Sequence, residues 1–407
     1  MTDPFGNCEA DSYDVEFAVP IMHRLRFTNN CFGEDLSVIH RLLDAGDQAK
    51  ARVQVCLDDG LDAWQPALAG KIEQALRSAN HVDLVTDVKR LPGGESVKNN
   101  PAYVDDLLRE FNDNNLDRRS YVMVVGGGAV LDTVGYAAAV AHRGIRLIRV
   151  PTTTLAQADS GVGVKNAVNW FNKKNWKGTF ATPWAVINDC KLLAGLSDRD
   201  FRCGFSEALK VALLKDRDFF EYLCRSATAI AARSPEESFT AIRRSVLLHL
   251  KHITRGGDPF ENLEARPLDF GHWSAHKLEA ITNYSVRHGE AVGVGVAVDT
   301  AYSHLCQGLP LEIAEQTLKA LGDLQLPIWH SGLSEDVIFD GLEEFRQHLG
   351  GRLTITLIQG IGSPIDVHSI DRVAMREAMQ WVSSVAAKSA CNANSLVVPS
   401  FPCENAT

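Results

Sequence analysis

Residues 121–139, YVMVVGGGAVLDTVGYAAA, constrain this chain more than any other stretch. Five apolar residues read as a strand buried on both faces, three glycines follow at once, and a helix takes over. Glycine lets the backbone turn sharply and approach a bulky anion, while a helix N-terminus offers free N–H groups and partial positive charge. A diphosphate fits there. Leu131 stands where a GxGxxG motif has its third glycine, so an ordinary glycine-rich turn fits as well. Asp58, at the end of an earlier strand, suits the ribose hydroxyls of a dinucleotide or, equally, the cap of a helix.

The same alternation runs through the first half of the chain. ARVQVCL (51–57), HVDLVT (81–86) and IRLIRVP (145–151) read as further strands, with helices over about 61–79 and from about 102 and 131. Strands alternating with helices imply a parallel sheet covered on both faces. From about Leu192 long helical stretches replace the strands. The expected fold is therefore an α/β Rossmann-like parallel-sheet domain over 1–190, an all-α domain over 191–386 and a weakly structured tail over 387–407. A chain of 407 residues is long enough for two cores. Its net charge of −10 argues against general affinity for nucleic acid or anionic membrane. No apolar run approaches ~18 residues, and the acidic start lacks a signal-peptide pattern. Nine cysteines without a CxxC pair read as reduced thiols, which suits a cytoplasmic protein.

The segment VPTTTLAQADSGVGVKN (150–166) is rich in hydroxyls and small residues and ends near Lys165, as an anion-binding loop would; Lys173-Lys174-Asn175 offers a second basic cluster or a solvated one. DFGHWSAHKLEAITNYSVRHGE (269–290) carries His272, His276 and His288. Imidazoles with a carboxylate are usual ligands of a catalytic zinc. Helical spacing alone favours His272 with His276, four residues apart on one face. GFSEALK can supply the carboxylate, Glu207, unless Glu207 and Lys210 are a simple i,i+3 ion pair.

In order and spacing, PGGESVK (92–98), GGGAVLDTVGYAAA (126–139), RGIRLIRVPTTTLAQADS (143–160), Lys165 with Lys174-Asn175, GFSEALK (204–210), KHITRGGDPFE (251–261), FGHWSAH and RHGEAVGVG together resemble 3-dehydroquinate synthase and its relatives, the sugar-phosphate cyclases. The resemblance implies NAD+ held by Asp58, Glu95, Lys98, Gly127, Gly128, Asp132, Thr152, Thr153 and Lys174. It also implies a zinc or cobalt ion on Glu207, His272 and His288, and so replaces the pair that spacing favours. His276 then binds substrate phosphate with Lys165, Asn175 and Arg143, the last across a homodimer interface. Lys210, Lys251, Asp159 and Glu261 surround the ring hydroxyls and the metal. The implied reaction is a phosphate-eliminating cyclisation of a seven-carbon sugar phosphate: transient oxidation by NAD+, elimination, re-reduction and intramolecular aldol closure.

Departures from the family pattern concern the substrate. Asp269 stands for an asparagine and Trp273 for a threonine; the arginine expected four residues after Glu261 is missing, with Arg266 one position later. A C-terminal lysine has no clear match beyond Arg346 or His348, and Val164 stands for a glycine. An aspartate repels a substrate carboxylate and suits a neutral hydroxyl. The expectation is a cyclase acting on a substrate like sedoheptulose 7-phosphate. Alternatives are 3-dehydroquinate synthase itself and, from another class, a metal- and NAD-dependent polyol dehydrogenase.

Overall fold

A computed structural model describes residues 14–394 except 172, 257, 263–265 and 349. The first half contains β1 (Leu25–Thr28), α1 (Leu36–Leu42), β2 (Ala51–Asp58), α2 (Leu68–Arg77), β3 (Val82–Leu84), β4 (Lys89–Leu91), α3 (Ser96–Asn99), α4 (Ala102–Asp113), β5 (Tyr121–Gly126), α5 (Gly128–Val140), β6 (Arg146–Pro151), β7 (Lys165–Trp170), β8 (Lys173–Phe180) and β9 (Ala185–Asp189). The second contains α6 (Asp198–Lys215), α7 (Arg217–Ala231), α8 (Pro235–Arg255), α9 (His272–Ile281), α10 (His288–Gln307), α11 (Leu311–Asp323), α12 (Asp340–His348), β10 (Ile355–Gly360), β11 (Ser363–Val367) and α13 (Arg372–Asn394).

The main sheet is parallel, in the order β1-β9-β6-β5-β2-β3, and β4 pairs the later half of β2. Every residue of β5 is buried, as a strand covered by helices on both faces requires. Three strands of this sheet, β1, β4 and β9, escaped the sequence reading, as did the strands of the β7–β8 and β10–β11 hairpins. β1 is short and half exposed, and β9 pairs β1 and β6 from beyond an inserted hairpin, β7–β8. The register aligns Leu57 with Val125 and Gly126 with Pro151, so Asp58, the glycine turn and Thr152-Thr153 meet at the carboxyl edge of the sheet. Parallel sheets bind ligands along that edge.

Behind the sheet one large apolar core joins α6 to α13 and takes in Ile355, Leu357 and Ile358 of the β10–β11 hairpin. That hairpin is the one departure from an all-helical second half among the described residues. The long helical run of residues 198–224 is two helices: Asp216 leaves helical geometry, and its carboxylate caps α7 by accepting from Phe219 N. At the other end α13 continues to Asn394, eight residues into the segment read as a tail, and the remaining positions of that tail lie outside the described residues. The six described cysteines with placed side chains are all unpaired. Among the described residues, no helix is long and apolar enough to cross a membrane.

Candidate active site at the carboxyl edge of the sheet

Three helices deliver the metal-ligand candidates. Glu207 lies on the buried face of α6, His272 is the first residue of α9 and His288 the first of α10. One ligand atom from each lies within 4.8 Å of the other two. Glu207 Oε1 is 3.5 Å from His272 Nε2 and 3.6 Å from His288 Nε2. Those gaps are long for hydrogen bonds but near the ~3.3 Å that separates two ligands on one tetrahedral ion with bonds of about 2.0–2.1 Å. Lys210 Nζ stands 2.5 Å from Glu207 Oε2, yet neither buried oxygen of Glu207 accepts an aligned hydrogen bond. Buried carboxylate oxygens without such partners are costly in a finished protein. A divalent cation resolves that cost, so the three side chains fit one. His272 and His276, the pair favoured by spacing, share no such cluster: their rings meet edge to face at 5.3 Å, and His276 stays open to solvent.

Charges around this centre hold one another. Burial opposes the Glu207 carboxylate, but Lys210 and the two imidazoles keep it well below the usual carboxylate range. Burial likewise opposes the Lys210 ammonium, and Glu207 and Asp159 outweigh it. At His288 the Glu279 and Glu207 carboxylates overcome burial and lift the imidazole pKa to about 9. The surrounding protein, then His272 and Lys174, press His276 well below its usual value. Asp159 pairs with His249 Nδ1 at 2.5 Å and stays ionised below the ordinary range, against both burial and Glu207.

The substrate-side candidates are partly assembled. Lys165 pairs with Glu261, and Arg266 Nη1 is 3.5 Å from the same carboxylate. Burial works against the Asp269 charge, yet Lys165, His272, Lys210 and His276 hold it ionised. Lys251 is exposed on α8 with no ion pair among the described residues. Arg143 is exposed beyond the far end of α5, roughly 20 Å of helix from the glycine turn, so within one chain it does not join this cluster. Trp273 turns away from the substrate side. It is buried, stacks on Phe339 and donates to Asp299 Oδ1 at 2.9 Å, so this departure serves packing. Arg346 is half-buried and paired with Glu343, and the side chain of His348 lies outside the described residues.

The dinucleotide candidates line the sheet edge beside it. Asp58 accepts from Gly60 N at 3.0 Å and Gly127 N at 3.3 Å, and burial raises its pKa. A β-carbon on Gly126 would stand 2.9 Å from Asp58 Cβ, so glycine is what lets the strand end pack here. Gly127 precedes α5 and Gly128 begins it, presenting a helix N-terminus. Lys98 reaches Asp132 Oδ2 at 2.8 Å and also Asn175. Asn169 donates to Glu95 at 2.9 Å. Thr152 N bonds Gly126 O at 3.0 Å, and Thr153 Oγ1 accepts from Ala156 N at 3.1 Å. Lys174 binds Glu279 Oε1 at 2.7 Å, which lifts its pKa against burial.

Residues 88–203 match the 3-dehydroquinate synthase N-terminal family, and residues 204–345 match the 3-dehydroquinate synthase C-terminal family. The chain belongs to the 3-dehydroquinate synthase family. It is 34% identical over 349 residues to the 3-dehydroquinate synthase of Ruegeria pomeroyi, covering 82% of this chain and 89% of that one. The Cereibacter sphaeroides enzyme is 36% identical over 306 residues, covering 71% and 78%. Among solved structures, 2-epi-5-epi-valiolone synthase of Streptomyces hygroscopicus, with NAD+ and Zn2+ bound, superposes with a TM-score of 0.81 at 23% identity over 92% of this chain and all of that one. Glycerol dehydrogenase of Schizosaccharomyces pombe shares the fold at 17% identity, with a TM-score of 0.61 over 94% of each chain.

Within this member of the 3-dehydroquinate synthase family, three site neighbours escaped the sequence reading. Glu279 follows His276 by three and His272 by seven, so its place on their helix face was legible. His249 meets Asp159 across 90 residues, and nothing local marks it. Arg149 is a fully buried cation in β6, donating to Gly161 O, Gly163 O, Lys165 O and Asn166 Oδ1 and so fixing the loop that ends at Lys165. A charge inside a buried strand was its signal.

Proposed function

We propose that this chain is a phosphate-eliminating sugar-phosphate cyclase that holds NAD+ and a zinc or cobalt ion and acts on a seven-carbon ketose 7-phosphate of the sedoheptulose type. The observation that carries the substrate choice is Asp269, held ionised beside His272. A substrate carboxylate there would meet a like charge, whereas a hydroxymethyl group finds an acceptor. Arg266, the nearest substitute for the missing arginine, is already turned to Glu261.

A cation held here would supply acidity to a coordinated hydroxyl, and a nicotinamide would supply a reversible hydride acceptor, so the net reaction would leave NAD+ unchanged. Glu207, His272 and His288 would hold the cation; Asp58, Glu95, Lys98, the glycine turn, Asp132, Thr152, Thr153 and Lys174 would hold the dinucleotide. Lys165, Asn175 and His276 would seat the phosphate, which competes with Glu261 for the Lys165 ammonium. Asp159, Lys210, Lys251 and Glu261 would position ring hydroxyls. With Arg143 a helix length away in its own chain, a homodimer in which it reaches a neighbouring pocket belongs to the same reading.

Relatives at 34–36% identity named 3-dehydroquinate synthase favour a second reading, in which the substrate carries a carboxylate. Phosphate release by metal-loaded protein, measured with sedoheptulose 7-phosphate and with the carboxylated heptulosonate 7-phosphate, separates the two. The first reading expects faster release from sedoheptulose 7-phosphate and no accumulation of NADH. Preference for the acid would establish the second reading, and steady NADH production from a polyol would replace both with a dehydrogenase.

A further inference from the structure

Resting on that reading of the metal site, we propose that Glu279 is the positioning residue that orients His288 toward the cation and ties this ligand to Lys174 on the dinucleotide side. Its carboxylate is almost fully buried on α9, with each oxygen assigned to a different partner. Oε2 lies 3.0 Å from His288 Nδ1, and Oε1 lies 2.7 Å from Lys174 Nζ. An ionised carboxylate only accepts hydrogen bonds, so a His288 that gives up one ring proton to a cation keeps the other on Nδ1, and Nε2, 3.6 Å from Glu207 Oε1, becomes the ligand atom. A metal-bound imidazole needs that tautomer, and a carboxylate behind it also makes it the better donor.

The other oxygen accounts for a partly buried cation. Lys174 lies in the β7–β8 hairpin, which belongs to the sheet half of the chain, while His288 belongs to the helical half. Glu279 therefore touches both sides of the cleft at this point. His276, Glu279 and His288 also bring ligand atoms within 4.8 Å of one another, which raises Glu279 as a ligand of a separate cation. Its occupied oxygens argue for orientation instead: one is spent on the ammonium and one on a nitrogen that, in this tautomer, has no lone pair to give.

The test is the affinity of nucleotide-free protein for Co2+ and Zn2+ by chelator competition, with the visible absorption of the Co2+ complex as a report of ligand geometry. Glu279→Ala is expected to bind both ions about 10–100-fold more weakly and to alter the Co2+ bands. Glu279→Gln, which keeps an amide oxygen for Nδ1–H, should recover most of that affinity. Lys174→Met should leave it within about threefold, because the His288 contact survives. Thermal unfolding of the metal-free proteins guards against simple misfolding. Wild-type affinity and spectrum in Glu279→Ala would overturn the proposal while leaving the ligand triad intact. Retention of metal in Glu207→Ala with loss in His276→Ala would instead make Glu279 a ligand and overturn the triad as well.

Discussion

Gly295, two turns into α10, faces the carbonyl oxygen of Gly271 so closely that a β-carbon on Gly295 would stand 1.9 Å from it. At the start of the same helix, a β-carbon on Gly289 would stand 2.2 Å from Cys203 O on α6. These two glycines let α10 lie directly on the α9 entrance and on α6, which is how His288, His272 and Glu207 come together. In Gly295→Ala, backbone rather than a flexible side chain must move. The expected result is a loss of at least about 1–3 kcal/mol in unfolding free energy together with weaker Co2+ binding. Chemical denaturation and chelator competition on one preparation measure both, and unchanged metal affinity would show that the glycine contact does not set the triad.

Replacing the ligands separates roles that spacing alone confuses. Glu207→Ala and His288→Ala are expected to strip the metal and lower phosphate release by roughly 100-fold or more, since a catalytic site with two ligands holds its ion poorly. His276→Ala should keep the metal and raise the KM for the sugar phosphate. Metal content by elemental analysis, paired with steady-state rates, decides the matter; equal metal loss in all three would refute the assignment.

Much of the sheet half was legible because a buried parallel strand leaves an unmistakable apolar run, as in YVMVV before its glycines. The strands of that sheet that were missed are those without that signature: β1 is half exposed, β4 is only three residues long, and β9 follows a hairpin that interrupts the alternation. At the site, the family resemblance carried by the ordered motifs pointed to Glu207, His272 and His288, which the fold brings together, whereas helical periodicity favoured His272 with His276. Periodicity describes one helix, and this triad takes one residue from each of three. The His249–Asp159 contact was invisible for the same reason, and Trp273 looked like a substrate contact because its neighbours at 272 and 276 face the cleft while its own side chain enters the core.

Asp299 makes stability depend on pH. Its fully buried carboxylate accepts from Trp273 Nε1 and from Gly271 N, each at 2.9 Å, and burial pushes its pKa to about 7 from an ordinary value of 3.8. The folded state therefore holds this proton more tightly than the unfolded chain does. The contribution is fully present below about pH 4 and is lost as pH rises to about 7. Asp299→Asn removes the titration, so the stability of wild type relative to this variant should fall by about 3 kcal/mol between pH 5 and pH 8, two pH units at 1.36 kcal/mol each. Urea unfolding across that range checks it, and a flat difference would mean that Asp299 stays ionised throughout.

Asp269 offers the most direct control over substrate choice. Two unit charges about 4 Å apart repel by roughly 4 kcal/mol at an effective dielectric of about 20, enough to exclude a carboxylated substrate that places its acid beside this residue. The neighbouring Lys165 and Lys210 ammoniums, with the imidazoles of His272 and His276, keep Asp269 ionised without removing its charge from the pocket. Asp269→Asn preserves size and an acceptor oxygen and deletes the repulsion. The ratio of kcat/KM for the carboxylated heptulosonate 7-phosphate to that for sedoheptulose 7-phosphate should rise by about 10-fold or more, mainly through a lower KM for the acid. Because the amide fills the same space as the carboxylate it replaces, a change in ratio reports charge and not shape. A parallel drop in both kcat/KM values, with the ratio unmoved, would place Asp269 outside the substrate's reach and leave the preference to residues such as Arg266.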